Sequence, residues 1–344
     1  MPSPAPPSPA RLLDLIDAFQ ARPILMAADL VADRFITGRP KRISREAPVL
    51  ILRQESDELV PGGGANAAFN IHSLGGRPLV AGIVGRDPNG DELLEIFRRS
   101  GISTDGILQR EGYRTPTKTR VLGGARHAIK QQIVRFDVED IQELAEVERE
   151  ALQSFLEQHA SQCEVAILSD YGLGAVEPAF VQILGAAKKQ LLCIGDSRYR
   201  LEKFVGLEGA TPNQEELENI EGGLAESEVT AAARRLQQHL GARFLLLTRG
   251  SEGMQLIDDA GALRVPCHGT SQVADVTGAG DTVIATFALA SAAGASPYEA
   301  TILANYAAGT VVMKMGTATV SPDELREAVR NNPALLEDLS WESW

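Results

Sequence analysis

The chain has 344 residues, 44% of them hydrophobic and 23% charged, and its 33 Lys+Arg against 46 Asp+Glu give a net charge of −13. That length is ample for a sizeable core, in one large or two modest domains. The acidic balance argues against a protein whose main partner is nucleic acid or an anionic membrane. Three distant cysteines without CxxC spacing (Cys163, Cys193, Cys267) argue against a disulfide scaffold or a cysteine zinc site and fit a reducing cytoplasm.

Residues 1–9 are proline-rich with no apolar h-region, so they read as a disordered tail rather than a secretory signal. A short amphipathic helix follows, carried by Leu12, Leu13, Leu15, Ile16 and Phe19. Buried strands are expected at 23–29, 77–85, 164–170, 191–196 and 243–250, and helices at 64–74, 88–100, 142–158, 177–188 and 226–240. Such alternation implies a parallel sheet covered by helices on both faces. Two more helices are expected at 278–293 and 297–313. The first contains the longest uncharged apolar stretch, 283–295, which is too short to span a bilayer and reads as buried. Segments 49–60 and 118–137, the latter with a turn at Gly123-Gly124, alternate polar and apolar residues and have no crossover helix. They read as a small sheet standing off the main body, a lid or dimer contact.

The most informative segment is Asp275-Val-Thr-Gly-Ala-Gly-Asp281, followed at once by an apolar helix. Small residues at a helix N-terminus expose backbone N–H groups, which with the helix dipole suit a phosphate or a developing negative charge. A carboxylate at the same place suits removal of a proton from an attacking hydroxyl. Asp281 is then the candidate base, and the amides of Gly278, Ala279 and Gly280 the candidate anion hole. Upstream, Pro61-Gly-Gly-Gly-Ala-Asn66 opens another helix, with glycines that admit a close ligand and an amide suited to hydroxyls. Gly62-x-Gly64-x-x-Ala67 followed by Asp87 imitates a dinucleotide fingerprint, but the preceding ESDELVP is charged and ends in proline where a buried strand is required.

Together these two segments resemble the signatures of the ribokinase-like (PfkB) sugar kinases, over residues 23 to 330. Within that family the chain is most similar to the heptose-7-phosphate kinases that form the first domain of bifunctional ADP-heptose synthases. The echoes are Asp29-Leu-Val-Ala-Asp33-Arg-Phe, Arg42-Ile-Ser-Arg-Glu-Ala-Pro48, Leu168-Ser-Asp-Tyr171, Ala210-Thr-Pro-Asn213 and Val320-Ser-Pro322. The resemblance implies an α/β fold with a central, mostly parallel sheet, flanking helices and a small β lid. The lid strands, at about 30–60 and 107–137, are inserted in a kinase domain at 23–330, between an N-terminal tail and helix (1–22) and a C-terminal tail (331–344). The nucleotidyltransferase domain of the fused enzymes is expected to be absent.

It also implies transfer of the γ-phosphoryl of ATP, with Mg²⁺, to a sugar hydroxyl. By position, Asp281 would be the base and the Gly278–Gly280 amides the phosphoryl cradle. Asn213 and Glu216 would organise Mg²⁺ and phosphate, Glu216 through water. Thr248, Arg249, Gly250, Asp275, Thr277 and Asn305 would meet the nucleotide. Asp29, Asp33, Gly63, Gly64, Asn66, Lys118, Arg120, Asp170 and Arg198 would hold the sugar phosphate. Plainer roles compete: Asn213 as a helix N-cap, Arg249 as a surface charge, Asn305 as a satisfied helix residue, Lys118 and Arg120 as edge charges. The chain departs from the heptose pattern at Leu173 (usually lysine), at Asp196-Ser-Arg198 (usually Asp-Pro-Lys), at Ala32 and at Phe35, all in the region expected to choose the acceptor. Other sugars, sugar phosphates or nucleosides therefore stay open as acceptors, as does a non-catalytic sugar-phosphate binder. A homodimer through the lid strands is expected, with no nucleic-acid or membrane partner.

Charge distribution bears on the acceptor. Residues 137–150 and 215–228 each carry −6, whereas 34–45 carries +5 and 110–135 carries +6. The basic stretches fall in or beside the expected sugar-binding and lid segments, as a small anionic substrate would require.

Overall fold

The computed structural model describes residues 5–125, 130–269, 274–314 and 316–344. Residues 1–4 of the expected tail and 126–129 of the expected lid lie outside the described residues. In chain order the elements are α1 (Pro9–Asp17), β1 (Pro23–Ile43), β2 (Leu50–Gly63), α2 (Gly64–Ser73), β3 (Arg77–Gly85), α3 (Pro88–Arg99), β4 (Ile107–Arg110), β5 (Thr117–Gly123) and β6 (Gln131–Val138). They continue with α4 (Glu146–Ala160), β7 (Val165–Asp170), α5 (Phe180–Ala187), β8 (Leu192–Ser197), β9 (Gly209–Ala210), α6 (Gln214–Glu221), α7 (Val229–Leu240), β10 (Phe244–Thr248), β11 (Met254–Asp258) and β12 (Gly261–Val265). α8 (Ala279–Ala292), α9 (Pro297–Val311), α10 (Pro322–Asn331) and β13 (Ser340–Ser343) complete the chain.

The central sheet runs β13-β12-β11-β10-β9-β8-β7-β1-β3-β4. From β4 to β10 every pairing is parallel, and β11, β12 and β13 extend the edge antiparallel. Residues 24–33 of β1 are buried without interruption, as a strand covered on both faces must be. One face packs under α1, α2, α3, α8, α9 and α10, the other under α4, α5, α6 and α7. Among the described residues, no helix is long and apolar enough to cross a membrane.

The lid grows out of the core sheet. β1 pairs with β3 and β7 as far as Asp29, then continues beyond the sheet to pair antiparallel with β2 and parallel with β5, which is joined to β6. One unbroken 21-residue strand thus ties lid to core. Two expectations change. Residues 107–110 pair with β3 in the core sheet rather than in the lid. Residues 331–344 do not trail: Leu335 and Leu336 are buried, and β13 adds an edge strand to β12. The N-terminal helix likewise inserts Leu12, Leu15, Ile16 and Phe19 into the main core.

Candidate active site

α8 starts on Gly278, which sits at φ 79° in the left-handed region, so that Ala279, Gly280 and Asp281 form its first turn. Glycine is required there twice over, since a Cβ on Gly278 would also fall 2.5 Å from Asn66 Nδ2. Asp281 is only 4% exposed. Its Oδ2 accepts from Asn66 Nδ2 at 2.8 Å and its Oδ1 from the Tyr171 hydroxyl at 2.7 Å. Burial pushes its carboxyl up to about 6, against the pull of those two donors. A carboxylate poised near neutrality and held by neutral donors is equipped to take a proton.

A cleft of about 460 Å³ opens in front of Asp281, walled by the α8 turn, Asp170, Tyr171, Asp196, Arg198, Thr211, Asn213, Glu216 and Thr248. Asn213 and Glu216 form a reciprocal cap on α6: Asn213 Oδ1 accepts from Glu216 N at 2.8 Å, and Glu216 Oε2 from Asn213 N at 2.9 Å. The N-cap role is real, and it leaves both residues facing the cleft. Burial raises the Glu216 carboxyl, and burial together with Glu216, Asp281 and Asp170 raises Asp196 well above the usual range. The Thr211 hydroxyl is buried on the same wall with no hydrogen-bond partner among the described residues. Carboxylates that raise one another beside an unsatisfied hydroxyl are a hard-oxygen donor set, which fits hydrated Mg²⁺.

Beside the cleft lies an apolar slot of about 200 Å³, sharing Thr248, Val276, Ala279 and Gly280 with it and lined further by Gly250, Met254, Cys267, Val283, Ala308 and Val312. Asn305 borders the slot, but its side chain straps the roof, accepting from His268 N at 2.9 Å and donating to Pro266 O at 3.1 Å. On the lid side is a recess of about 40 Å³ holding Lys118, Arg135, Arg198, Tyr171 and Leu173. Burial and the neighbouring Arg198 hold the Lys118 ammonium below its usual value.

Several expected ligands also have partners within the protein. Asp29 accepts three backbone N–H bonds, from Tyr171 (2.8 Å), Leu173 (2.9 Å) and Ala175 (2.9 Å), and so pins the turn after β7. Asp170 borders the cleft but is gripped by Arg200 through two bonds (2.8 and 3.0 Å) and by Ser197 at 2.6 Å. Asp33 is paired with Arg120 at 2.7 Å, and Arg120 also lies over Phe35. Asn66 donates to Asp281 and accepts from Asn70 at 3.2 Å. The glycine run is packed rather than open. Cβ atoms on Gly62 and Gly64 would strike Asp33 Oδ2 and Ala28 Cβ, each at 2.6 Å, and one on Gly63 (φ 52°) would lie 2.9 Å from Val31. Close approach there is between β1 and the start of α2. Arg249 lies outside the cleft, bonded to Gln214, Glu226 and Glu252. Asp275 accepts from Thr277 N at 2.9 Å and Gly316 N at 3.0 Å and braces the loop before α8, contacts that hold its carboxyl below the usual value.

Five residues without an assigned role in the sequence therefore shape the site: Tyr171, Asp196, Arg200, Thr211 and Arg135. Tyr171 ends the Leu168-Ser-Asp-Tyr171 segment that resembles the heptose kinases, and Arg200 lies two residues after Arg198.

The pattern of residues 29–324 matches the family model described as pfkB family carbohydrate kinase. The chain belongs to the PfkB family of carbohydrate kinases. It is thereby a phosphotransferase with an alcohol group as acceptor, on a ribokinase-like fold. Among curated relatives, the bifunctional protein HldE of Mesorhizobium japonicum is 38% identical over 330 residues, covering 94% of this chain and 65% of that protein. HldE of Pseudomonas aeruginosa is 40% identical over 316 residues, covering 91% and 64%. The chain thus spans about two thirds, and slightly less, of the length of these relatives. Among solved structures, Escherichia coli phosphofructokinase-2 in complex with fructose-6-phosphate superposes with a TM-score of 0.70 at 20% identity, covering 91% of this chain and 99% of that one. Arabidopsis thaliana ribokinase complexed with ribose and ATP gives 0.68 at 19% identity, covering 92% and 99%. At that identity the two structures speak for the fold.

Proposed function

We propose that this PfkB kinase transfers the γ-phosphoryl of ATP, with Mg²⁺, to the anomeric hydroxyl of heptose 7-phosphate, in the cytoplasm. One observation carries the reading: the buried Asp281 carboxylate stands at the N-terminus of α8 between a basic recess and an apolar slot. The slot suits adenine, and the recess, with Lys118, Arg135 and Arg198, suits the phosphate the acceptor already carries. The similarity to HldE proteins and the heptose-kinase echoes favour that sugar over others.

In this reading Asp281 takes the proton of the acceptor hydroxyl as the oxygen attacks. The amides of Gly278, Ala279 and Gly280, aided by the α8 dipole, receive the transferring phosphoryl group and its growing charge. Glu216, Asp196 and Thr211 would hold the hydrated Mg²⁺, which when bound offsets phosphate charge. The lid strands close the recess from water. The exposed apolar side chains of the lid, Ile43, Val49, Leu50, Ile133, Val134 and Phe136, are a surface for a second copy; sedimentation at micromolar concentration tests the dimer, and a monomer would remove it.

Acceptor profiling by ATP consumption tests the function. Heptose 7-phosphate should be the preferred acceptor over fructose 6-phosphate and ribose. No turnover of any sugar phosphate, or preference for an unphosphorylated sugar, would overturn the heptose assignment.

A further inference from the structure

We propose, resting on Asp281 as the base, that Tyr171 is a positioning residue for phosphoryl transfer: its hydroxyl sets the direction of the Asp281 carboxylate and supplies a hydrogen bond to a group that burial leaves little access to water. Two donors reach the carboxylate, one on each oxygen, Tyr171 at 2.7 Å and Asn66 at 2.8 Å. A donor on each oxygen fixes the plane of the group as well as its position.

Both donors are themselves held. Asn70, bonded to Asn66, accepts from Thr282 at 3.0 Å. The turn carrying Tyr171 is pinned by the three N–H bonds to Asp29. The Tyr171 ring is boxed between the Gly63 backbone, where an added Cβ would lie 3.3 Å from Cε2, and the Lys118 ammonium, 5.4 Å from its centroid. Tyr171 also borders both the recess and the main cleft, so it stands where the acceptor meets the base.

The surroundings explain why the donor is a phenol. Asp281 is faced by Asp33 from β1, Lys118 from β5, Asp196 from β8 and, through Tyr171, Glu216 from α6, so acids outnumber bases. A neutral donor favours the ionised carboxylate without adding a cation that would compete for the arriving phosphate. Burial and the nearby Asp281 raise the phenol well above its ordinary value, so it keeps its proton at working pH.

The test compares wild type, Tyr171→Phe and Asp281→Asn with MgATP and heptose 7-phosphate across pH 5.5 to 9. Tyr171→Phe keeps the ring and removes the donor. The acid limb of kcat should move up by about one pH unit, the loss being a few-fold at pH 8.5 and about tenfold greater than that on the acid side. KM should stay within about twofold. A limb that does not move, a loss equal at every pH, or a loss confined to KM would overturn the proposal. Should the phenylalanine variant fail to fold, 3-fluorotyrosine at position 171 keeps the shape and strengthens the donor. The limb should then move down, and an unmoved limb is again fatal. Asp281→Asn separates the two readings: if it still turns over, the base assignment fails; if it is inactive while Tyr171→Phe keeps the wild-type profile, only the role of Tyr171 fails.

Discussion

Replacing Asp281 by asparagine should abolish turnover and, at alkaline pH, make the protein more stable. The buried carboxyl titrates at about 6 instead of an ordinary 3.8, because desolvation outweighs its two hydrogen bonds. The sign follows from linkage. A folded-state value raised above the unfolded one means the folded protein holds the proton more tightly, so stability falls as pH rises from about 4 to about 6. The full gap corresponds to roughly 3 kcal/mol above that window and to less than about 1 kcal/mol near pH 4. Asparagine avoids that cost and still fits the donors, since its oxygen can accept from Asn66 while its NH₂ donates to the Tyr171 oxygen. Urea unfolding of both proteins at pH 4 and pH 8 measures the effect. The variant should gain about 2–3 kcal/mol at pH 8, and most of that gain should vanish at pH 4. An asparagine variant no more stable than wild type at pH 8 would refute the claim that this carboxylate is held at a cost to folding.

Gly278→Ala should lower kcat by 100-fold or more with about 1–2 kcal/mol of destabilisation, because φ 79° disfavours alanine and the new Cβ displaces the Asn66 amide from its bond to Asp281. Steady-state kinetics with thermal unfolding check both halves. Arg200→Ala strips the partner from a fully buried Asp170 carboxylate and should cost about 3 kcal/mol in urea unfolding, whereas Arg198→Ala, at the more exposed position, should cost under about 1 kcal/mol. Lys118→Ala and Arg135→Ala should each raise KM for the phosphorylated acceptor about tenfold while KM for ATP stays within twofold, which initial-rate kinetics with each substrate varied will show.

What was legible in the sequence follows physical rules. The core strands of β1 and β7 are buried on both faces and so appear as unbroken apolar runs, and α8 and α9 as long uncharged ones. β9 has two residues, and β11, β12 and β13 have five, five and four, too few for a pattern to stand out. The turn before α8 was legible because a helix start is local: small residues and a carboxylate at its first turn need no distant partner to be seen. The partners of Asp29 and Asp33 were not, because three amides some 140 residues away, or an arginine 87 residues away, leave no local mark on a carboxylate in the sequence.

The charge map shows the same limit most sharply. Residues 110–135 carry +6, yet Arg110 faces Glu148, Arg120 faces Asp33, Lys130 faces Glu55 and Arg135 faces Asp137. In residues 34–45, Arg34 faces Asp57 and Arg39 faces Glu55. Half of these basic side chains are therefore answered within the lid or at its foot, and the exposed pairs among them add little stability. Around the recess stand Lys118 and Arg198, with Arg135 beside them in its pair with Asp137. Of these, Lys118 is the most telling. Burial and Arg198 hold its ammonium below the usual value, and a nearby anion would favour its charged form. Under the proposed function such a recess should favour a phosphorylated acceptor over a neutral sugar of the same shape, and a KM for the neutral sugar equal to that for the phosphorylated one would refute that role for Lys118.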